Sequence, residues 1–180
     1  LILSFYSIEI FIFFLDNYKK KAQIIQIQND NKFKIDEYNK INKKKYDIRP
    51  KVEVYEDLLK TKLKVGMTLT PKTIQIKNKL IFPLSATSSN TLTIDCNENG
   101  YYSKYMSDRY GYNNFDRNWD KSNHILFIGD SFVQGSCVNQ NDTISSQFSQ
   151  LAENDIGVLN LGVGNTGPLI HFAIFKEHIN

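Results

Sequence analysis

The run Ile125-Leu-Phe-Ile-Gly-Asp-Ser-Phe132 constrains this chain more than any other stretch. Consecutive apolar residues closed by a glycine predict a short strand buried on both faces. A small polar tripeptide follows it, then a loop and a helical pattern. In open α/β sheets, ligands and reactive groups gather at the carboxyl ends of parallel strands. A serine at such a strand-to-loop turn presents its hydroxyl above the sheet edge. Gly-Asp-Ser is also ordinary turn chemistry, because Gly supplies positive φ while Asp and Ser bond their own backbone. The tripeptide alone therefore does not separate a site from a turn.

A second strand changes that balance. Gly157-Val-Leu-Asn-Leu-Gly-Val-Gly-Asn-Thr-Gly-Pro168 is another short apolar run that ends in a glycine-rich turn. Between the two runs lies Asn141 to Glu153, which Asp142 or Thr143 can cap and which sets Ile144, Phe148 and Leu151 on one helical face. Strand, helix and strand in this order predict a βαβ unit with parallel strands. Both polar turns then lie at the same edge of one sheet.

On these residues the chain resembles the SGNH/GDSL hydrolase superfamily, whose first block is Gly-Asp-Ser after strand one. The second block is a glycine turn after strand two that commonly reads Asn-Leu-Gly-x-x-Gly. The resemblance implies a three-layer, flavodoxin-like α/β fold around a parallel sheet, here cut short on its C-terminal side. It implies Ser131 as nucleophile, with its own N–H and one from the second turn forming part of an oxyanion hole. Counted from Asn160, the second-block glycine falls on Asn165, with Gly164 just before it. Asn tolerates a left-handed backbone better than other side-chain-bearing residues. Which of the two amides faces the oxyanion stays open. Asp130 is expected to support the loop rather than to serve as the acid of a triad.

The third block, Gly-x-Asn-Asp, and the late Asp-x-x-His that supplies base and acid in this superfamily do not occur here. His171 and His178 fall on the second expected helix and read as surface or packing residues, and His124 precedes strand one, at the end of the strand away from Ser131. The chain starts at Leu1 and ends at Asn180 within that helix, so we expect a piece of a longer protein whose base, acid and oxyanion Asn lie downstream. The recognisable α/β portion spans 123–180.

Upstream of it, residues 1–15 are almost wholly apolar apart from Glu9 and are followed by Lys19 to Lys21. A bilayer crossing needs about 20 apolar residues. The run is therefore expected to be a partial transmembrane anchor, with an ordinary buried helix as the alternative. Residues 16–49, rich in Lys, Asn, Gln and Ile, read as a solvated stalk. Residues 50–122 form a wrap region. Pro50 opens a short amphipathic helix from Lys51 to Lys60 with Val54, Tyr55, Leu58 and Leu59 on one side, and Thr68 to Pro83 alternates like an exposed strand or hairpin.

Thr91 to Trp119 is dense in tyrosine, interleaved with Asn, Asp, Gly and Arg109. Such rings suit sugar faces as well as protein packing, and packing beside strand one is the simpler expectation. Asn-Glu-x-Gly and Asp-Arg-x-Gly segments like these precede the Gly-Asp-Ser strand in membrane-anchored bacterial members of the superfamily. Cys96 in the wrap and Cys137 after Ser131 either pair as a disulfide, if the wrap runs beside the Ser131 loop, or remain two free thiols. Pairing would imply an oxidising, extracytoplasmic setting, whereas the basic triplet after the apolar run points the remainder to the cytoplasm. We take a membrane-anchored protein with an extracytoplasmic domain as the expectation.

With 22 Lys and Arg against 19 Asp and Glu and no basic stripe, nucleic-acid binding has no support. No Cys or His spacing suggests a metal, and no cofactor is expected. The expected function is a serine esterase or O-acyl hydrolase/transferase acting on an ester-bearing small molecule or acylated polysaccharide. A non-catalytic surface or glycan-binding module with the same fold is the alternative.

Overall fold

The computed structural model describes residues 2–68, 74–76, 79–81 and 84–179. Residues 1–46 and 47–180 form two compact units. The first is built on one continuous helix, α1 (Ile2–Asn42), which runs through the junction expected between anchor and stalk. Its apolar residues lie on all sides, and Phe11, Phe13 and Phe14 are each more than 60% exposed. Among the described residues no helix is long and apolar enough to cross a membrane. Asp16 and the lysines at 19–21 end the apolar stretch on its C-terminal side.

The second unit is mixed α/β. It opens with α2 (Lys51–Leu59), where Pro50 stands at the N-cap position and Val54 is buried. Tyr55 and Leu58 are half-buried, while Leu59, expected on the same side, is exposed. Strands β1 (Val65–Met67), β4 (Leu92–Ile94) and β5 (Lys104–Met106) make a small sheet in the order β1-β4-β5. Its β1–β4 pair is parallel and its β4–β5 pair antiparallel. Strands β2 (Ile74–Ile76) and β3 (Lys79–Ile81) pair as an antiparallel two-stranded sheet. The rest of the expected hairpin, beyond these strands and Thr68, lies outside the described residues.

The strands anticipated around Gly-Asp-Ser are β6 (Asn123–Phe127) and β7 (Ile156–Asn160), paired in parallel with Leu126 opposite Leu159. Leu161 N–H extends the ladder to Phe127 O, and Val163 N–H extends it to Gly129 O. Between them come α3 (Ser131–Gln134) and α4 (Ile144–Ser149), and α5 (Pro168–His178) follows β7. Thr143 caps α4, its Oγ1 accepting from Ser146 N–H at 3.2 Å. Successive strand residues face opposite sides. Leu126, Leu159 and Leu161 join Ile170 and Ile174 of α5 in the core, while the Phe127 ring meets Phe148 of α4 at 5.4 Å. Helices thus cover both faces of this two-stranded sheet.

Two expectations need correction here. Strand β6 is only half-buried toward its end and exposed at its start, whereas β7 is buried almost throughout. Ile144 and Leu151, set on the inward face of the expected helix, are 55% and 86% exposed. The helix is shorter than expected: α4 opens at Ile144 and ends at Ser149, so Leu151 lies beyond it.

The wrap docks on the outer edge of β7 as well as against the start of β6, where Asn118 O meets His124 Nε2 at 3.2 Å. Val158 and Asn160 turn their backbone groups away from β6, because Leu159 and Leu161 alternate with them toward it. Asn118 Nδ2 donates to Val158 O at 2.8 Å. Asn114 Nδ2 donates to Asn160 O at 2.9 Å, and Asn114 Oδ1 accepts Asn160 N–H at 2.6 Å. Side-chain amides thereby occupy the edge where a further strand would pair. Asn114 is itself aimed by Asp108, a fully buried carboxylate that also accepts from Tyr110 N–H, Tyr112 N–H and Trp119 Nε1. The Asp-Arg-x-Gly segment owes its glycine to the same turn. Gly111 has φ +87°, and a Cβ there would lie 2.2 Å from Thr87 O.

His178 at the end of α5 packs among Tyr110, Tyr112 and Trp119, with ring centroids 5.3 to 5.6 Å away. Burial holds its pKa below the ordinary histidine value of 6.5, against smaller opposing effects of Glu177 and Asp108.

Replacing Asn114 by Ala leaves the Asn160 backbone groups and one Asp108 oxygen without these partners. We expect a loss of about 2–4 kcal/mol in urea unfolding, and a loss under about 1 kcal/mol would show that the amide does not hold the edge. For His178 the folded state prefers the neutral ring, so the unfolded chain binds the extra proton and stability falls as pH drops through 6.5 toward the lower folded value. His178→Phe should flatten that acid limb in unfolding midpoints measured between about pH 8 and pH 5.

Candidate functional site

The turn after β6 is shaped by Asp130. Its Oδ1 accepts Phe132 N–H at 3.1 Å, which makes it the N-cap of α3 and leaves Ser131 as the first helical residue. The helix ends after one turn at Gly135, in the left-handed region with φ +74°, where a Cβ would strike Thr143 Cγ2 at 2.3 Å. The chain then reverses, and Ser136 N–H and Gly135 N–H both return to Ser131 O. Ser131 is half-buried. Its Oγ makes no hydrogen bond among the described residues.

The turn after β7 comes up beside it. Gly162 lets the two backbones meet, since a Cβ there would lie 2.2 Å from Gln134 N. A Cβ on Gly164 would lie 3.6 Å from Ser131 Cβ, so Gly164 faces Ser131 across a gap that a methyl group would fill. Gly164 N–H is already taken, donating to Gln134 Oε1 at 2.6 Å. Asn165 adopts φ +59°, the left-handed backbone that the sequence requires of a non-glycine residue there. Its N–H has no acceptor among the described residues.

Ser131, Gly164 and Asn165 line one cavity of about 640 Å³ together with Asp95, Cys96, Cys137 and Thr143. The far wall comes from the wrap. Cys96 and Cys137 form a disulfide with Cα atoms 4.8 Å apart, and Cys137 takes a left-handed φ of +64°. Asp95 stands next to the bridge, buried, and its carboxylate is used in full. Oδ1 accepts from Thr68 Oγ1 at 2.9 Å, while Oδ2 accepts from Ser136 Oγ and Cys137 N–H, each at 3.0 Å. Asn99 Nδ2 adds a bond to Cys137 O at 3.1 Å. Lys51 donates to Thr68 Oγ1 at 3.3 Å, and burial lowers its pKa against the opposing pull of Asp95.

The histidines are engaged elsewhere. His124 Nε2 meets Asn118 O, His171 Nε2 meets Thr166 Oγ1, and His178 Nε2 meets Tyr112 OH. None of them lines the cavity. Among the described residues no group of His, Cys, Asp and Glu could hold a metal ion.

Asp95, Ser136 and Gln134 were not singled out by sequence reasoning. Gln134 carries a signal in retrospect: it sits three residues after Ser131, one helical turn on and so on the same side. Asp95 adjoins Cys96, but only the fold brings it to the Ser131 loop. No family model, curated protein or solved structure shows a match to this chain.

The disulfide closes a loop of sequence separation 41, for which chain entropy predicts about 4 kcal/mol of stabilisation. Unfolding of the Cys96→Ser, Cys137→Ser double variant should show a loss of about 2–4 kcal/mol. An unchanged midpoint would mean that the Asp95 bonds alone hold the two segments together.

Proposed function

We propose that this chain carries the nucleophile side of a serine hydrolase or acyltransferase site of the SGNH/GDSL kind, with Ser131 as the attacking residue. The observation that carries the reading is the convergence of Ser131 and the Gly164–Asn165 turn on one cavity at the carboxyl ends of two parallel strands. Sites of this class are built there. Ser131 Oγ would attack an ester carbonyl, its proton passing to a general base and the alcohol leaving to give an acyl-enzyme. Backbone N–H groups of the two turns would hold the oxyanion. Each such donor is typically worth about 10²–10³ in rate. Asp95, Glu98 and Asp142 supply the carboxylates of the cavity wall, and none is hydrogen-bonded to Ser131 Oγ among the described residues.

A cavity of this size with polar and apolar walls suits an ester on a small molecule or a sugar. Phe132, 81% exposed, and Ile144 line it on the open side. Membrane attachment through the apolar start of α1 belongs to the same proposal. Lys19 to Lys21, just past that stretch, would meet anionic headgroups at the membrane surface. The disulfide favours an extracytoplasmic setting.

One observation supports the second reading, a binding module that has the cradle without the chemistry: among the described residues Ser131 Oγ has no hydrogen-bond partner. A fluorophosphonate probe applied to the full-length protein separates the two, with the labelled residue mapped by mass spectrometry. Labelling at Ser131 that disappears in Ser131→Ala is the expected result. A folded protein that takes no label is the binding module.

A further inference from the structure

Gln134 joins the two turns of the cavity with its side chain. It is 4% exposed, and its backbone is clamped beneath β7. Asn113 Nδ2 donates to Gln134 O at 3.0 Å, and Asn160 Nδ2 donates to the same oxygen at 3.4 Å. The backbone of Gly162 lies against Gln134 N. From this fixed base the side chain reaches Gly164, where Oε1 accepts the N–H at 2.6 Å.

An amide N–H has one proton to give, and a short, partly buried bond to a side-chain carbonyl uses it. Gly164 is also the residue most able to turn its peptide toward Ser131, since it lacks a Cβ and tolerates either sign of φ. The Gln134 bond removes that freedom. The next amide belongs to Asn165, itself left-handed at φ +59° and on the wall of the same cavity, and it has no acceptor among the described residues.

We propose that Gln134 is a positioning residue that ties down the Gly164 amide and so assigns Asn165 N–H, rather than Gly164 N–H, as the oxyanion donor facing Ser131. The assignment rests on the hydrolase reading above. It settles which of two adjacent amides does the work, and it does so through a side chain outside both turn motifs. Gln134 itself touches no reacting atom. Its effect is on kcat through the geometry of the hole, with little on the binding of ground-state ester.

The test is amide NMR on the full-length ¹⁵N-labelled protein, free and with phenylboronic acid, which forms a tetrahedral adduct on an activated serine. In the free protein, Gly164 N–H should exchange slowly. Gln134→Met should speed its exchange by about tenfold, the equivalent of one hydrogen bond's net worth. Gln134→Glu keeps an acceptor and should keep the protection, which separates the bond from any general loosening in the Met variant. In the boronate adduct, the Asn165 amide should shift and become protected while Gly164 stays unchanged. With p-nitrophenyl acetate, Gln134→Met should lower kcat by about 10²-fold with KM nearly constant.

An adduct that perturbs Gly164 and leaves Asn165 untouched overturns the assignment alone. So does Gly164 exchange that Gln134→Met does not change. A protein that forms no adduct at Ser131 sinks the hydrolase reading and this assignment with it.

Discussion

The buried carboxylate of Asp108 is the interaction on which the rest of the second unit depends. Taking an ionised carboxylate out of water is costly, and the cost is met here by four donors that fill both oxygens. Two of those donors are backbone amides of its own turn, so the charge dictates the path of the chain from Tyr110 to Tyr112. The other two, Asn114 and Trp119, carry that order outward. Trp119 packs in the aromatic cluster around the end of α5, and Asn114 pairs with the outer edge of β7. A strand without a neighbour on that side is thereby satisfied by side chains. The turn that leaves β7 inherits its position from this edge, and Gly164 and Asn165 belong to that turn.

Asp95 repeats the device on the other wall of the cavity. It follows β4 directly, so it belongs to the small mixed sheet, yet two of its three bonds reach the loop after Ser131. A disulfide one residue along fastens the same two segments covalently. The carboxylate orients the loop and the bridge limits how far it can depart. Neither acts on Ser131 directly. Both fix the reversal at Gly135 to Cys137, in which the Gly135 and Ser136 amides close back on Ser131 O, and so they set where the serine points.

The strand-turn motifs were legible in the sequence because they depend on local chemistry. An apolar run stopped by glycine makes a strand, an Asp before Ser-Phe makes a cap, and an Asn in a glycine's place makes a left-handed turn. The parallel pairing of β6 and β7 followed from the helix pattern between them. What could not be read was everything set by side-chain amides at a distance. Nothing in the spacing of Asn114 and Asn118 says that they bind the far edge of β7, 46 and 40 residues away. The exposure of Ile144 and Leu151 was equally hidden, since periodicity shows which residues would share a face and not where the helix starts and stops. The wrap read as aromatic packing because tyrosines dominate its composition, but its attachments are made by Asn and Asp.

The two functional readings differ in one proton acceptor, and this narrows the ligand instead of leaving it open. A serine hydroxyl without a base is a weak nucleophile, but backbone N–H groups directed into a half-enclosed cavity need no activation to bind an oxygen that carries partial or full negative charge. In the proposal above, the amides of Asn165 and Ser131, both on the cavity wall, would serve this way whether or not an acyl-enzyme forms. An apolar lip of Phe132 and Ile144 lies beside them, suited to the carbon side of an acyl group rather than to a bare anion. On the reading proposed above, both alternatives favour a carbonyl-bearing ligand, with its oxygen toward the turns and its carbon chain toward Phe132 and Ile144. The base decides only whether that ligand is held or cleaved.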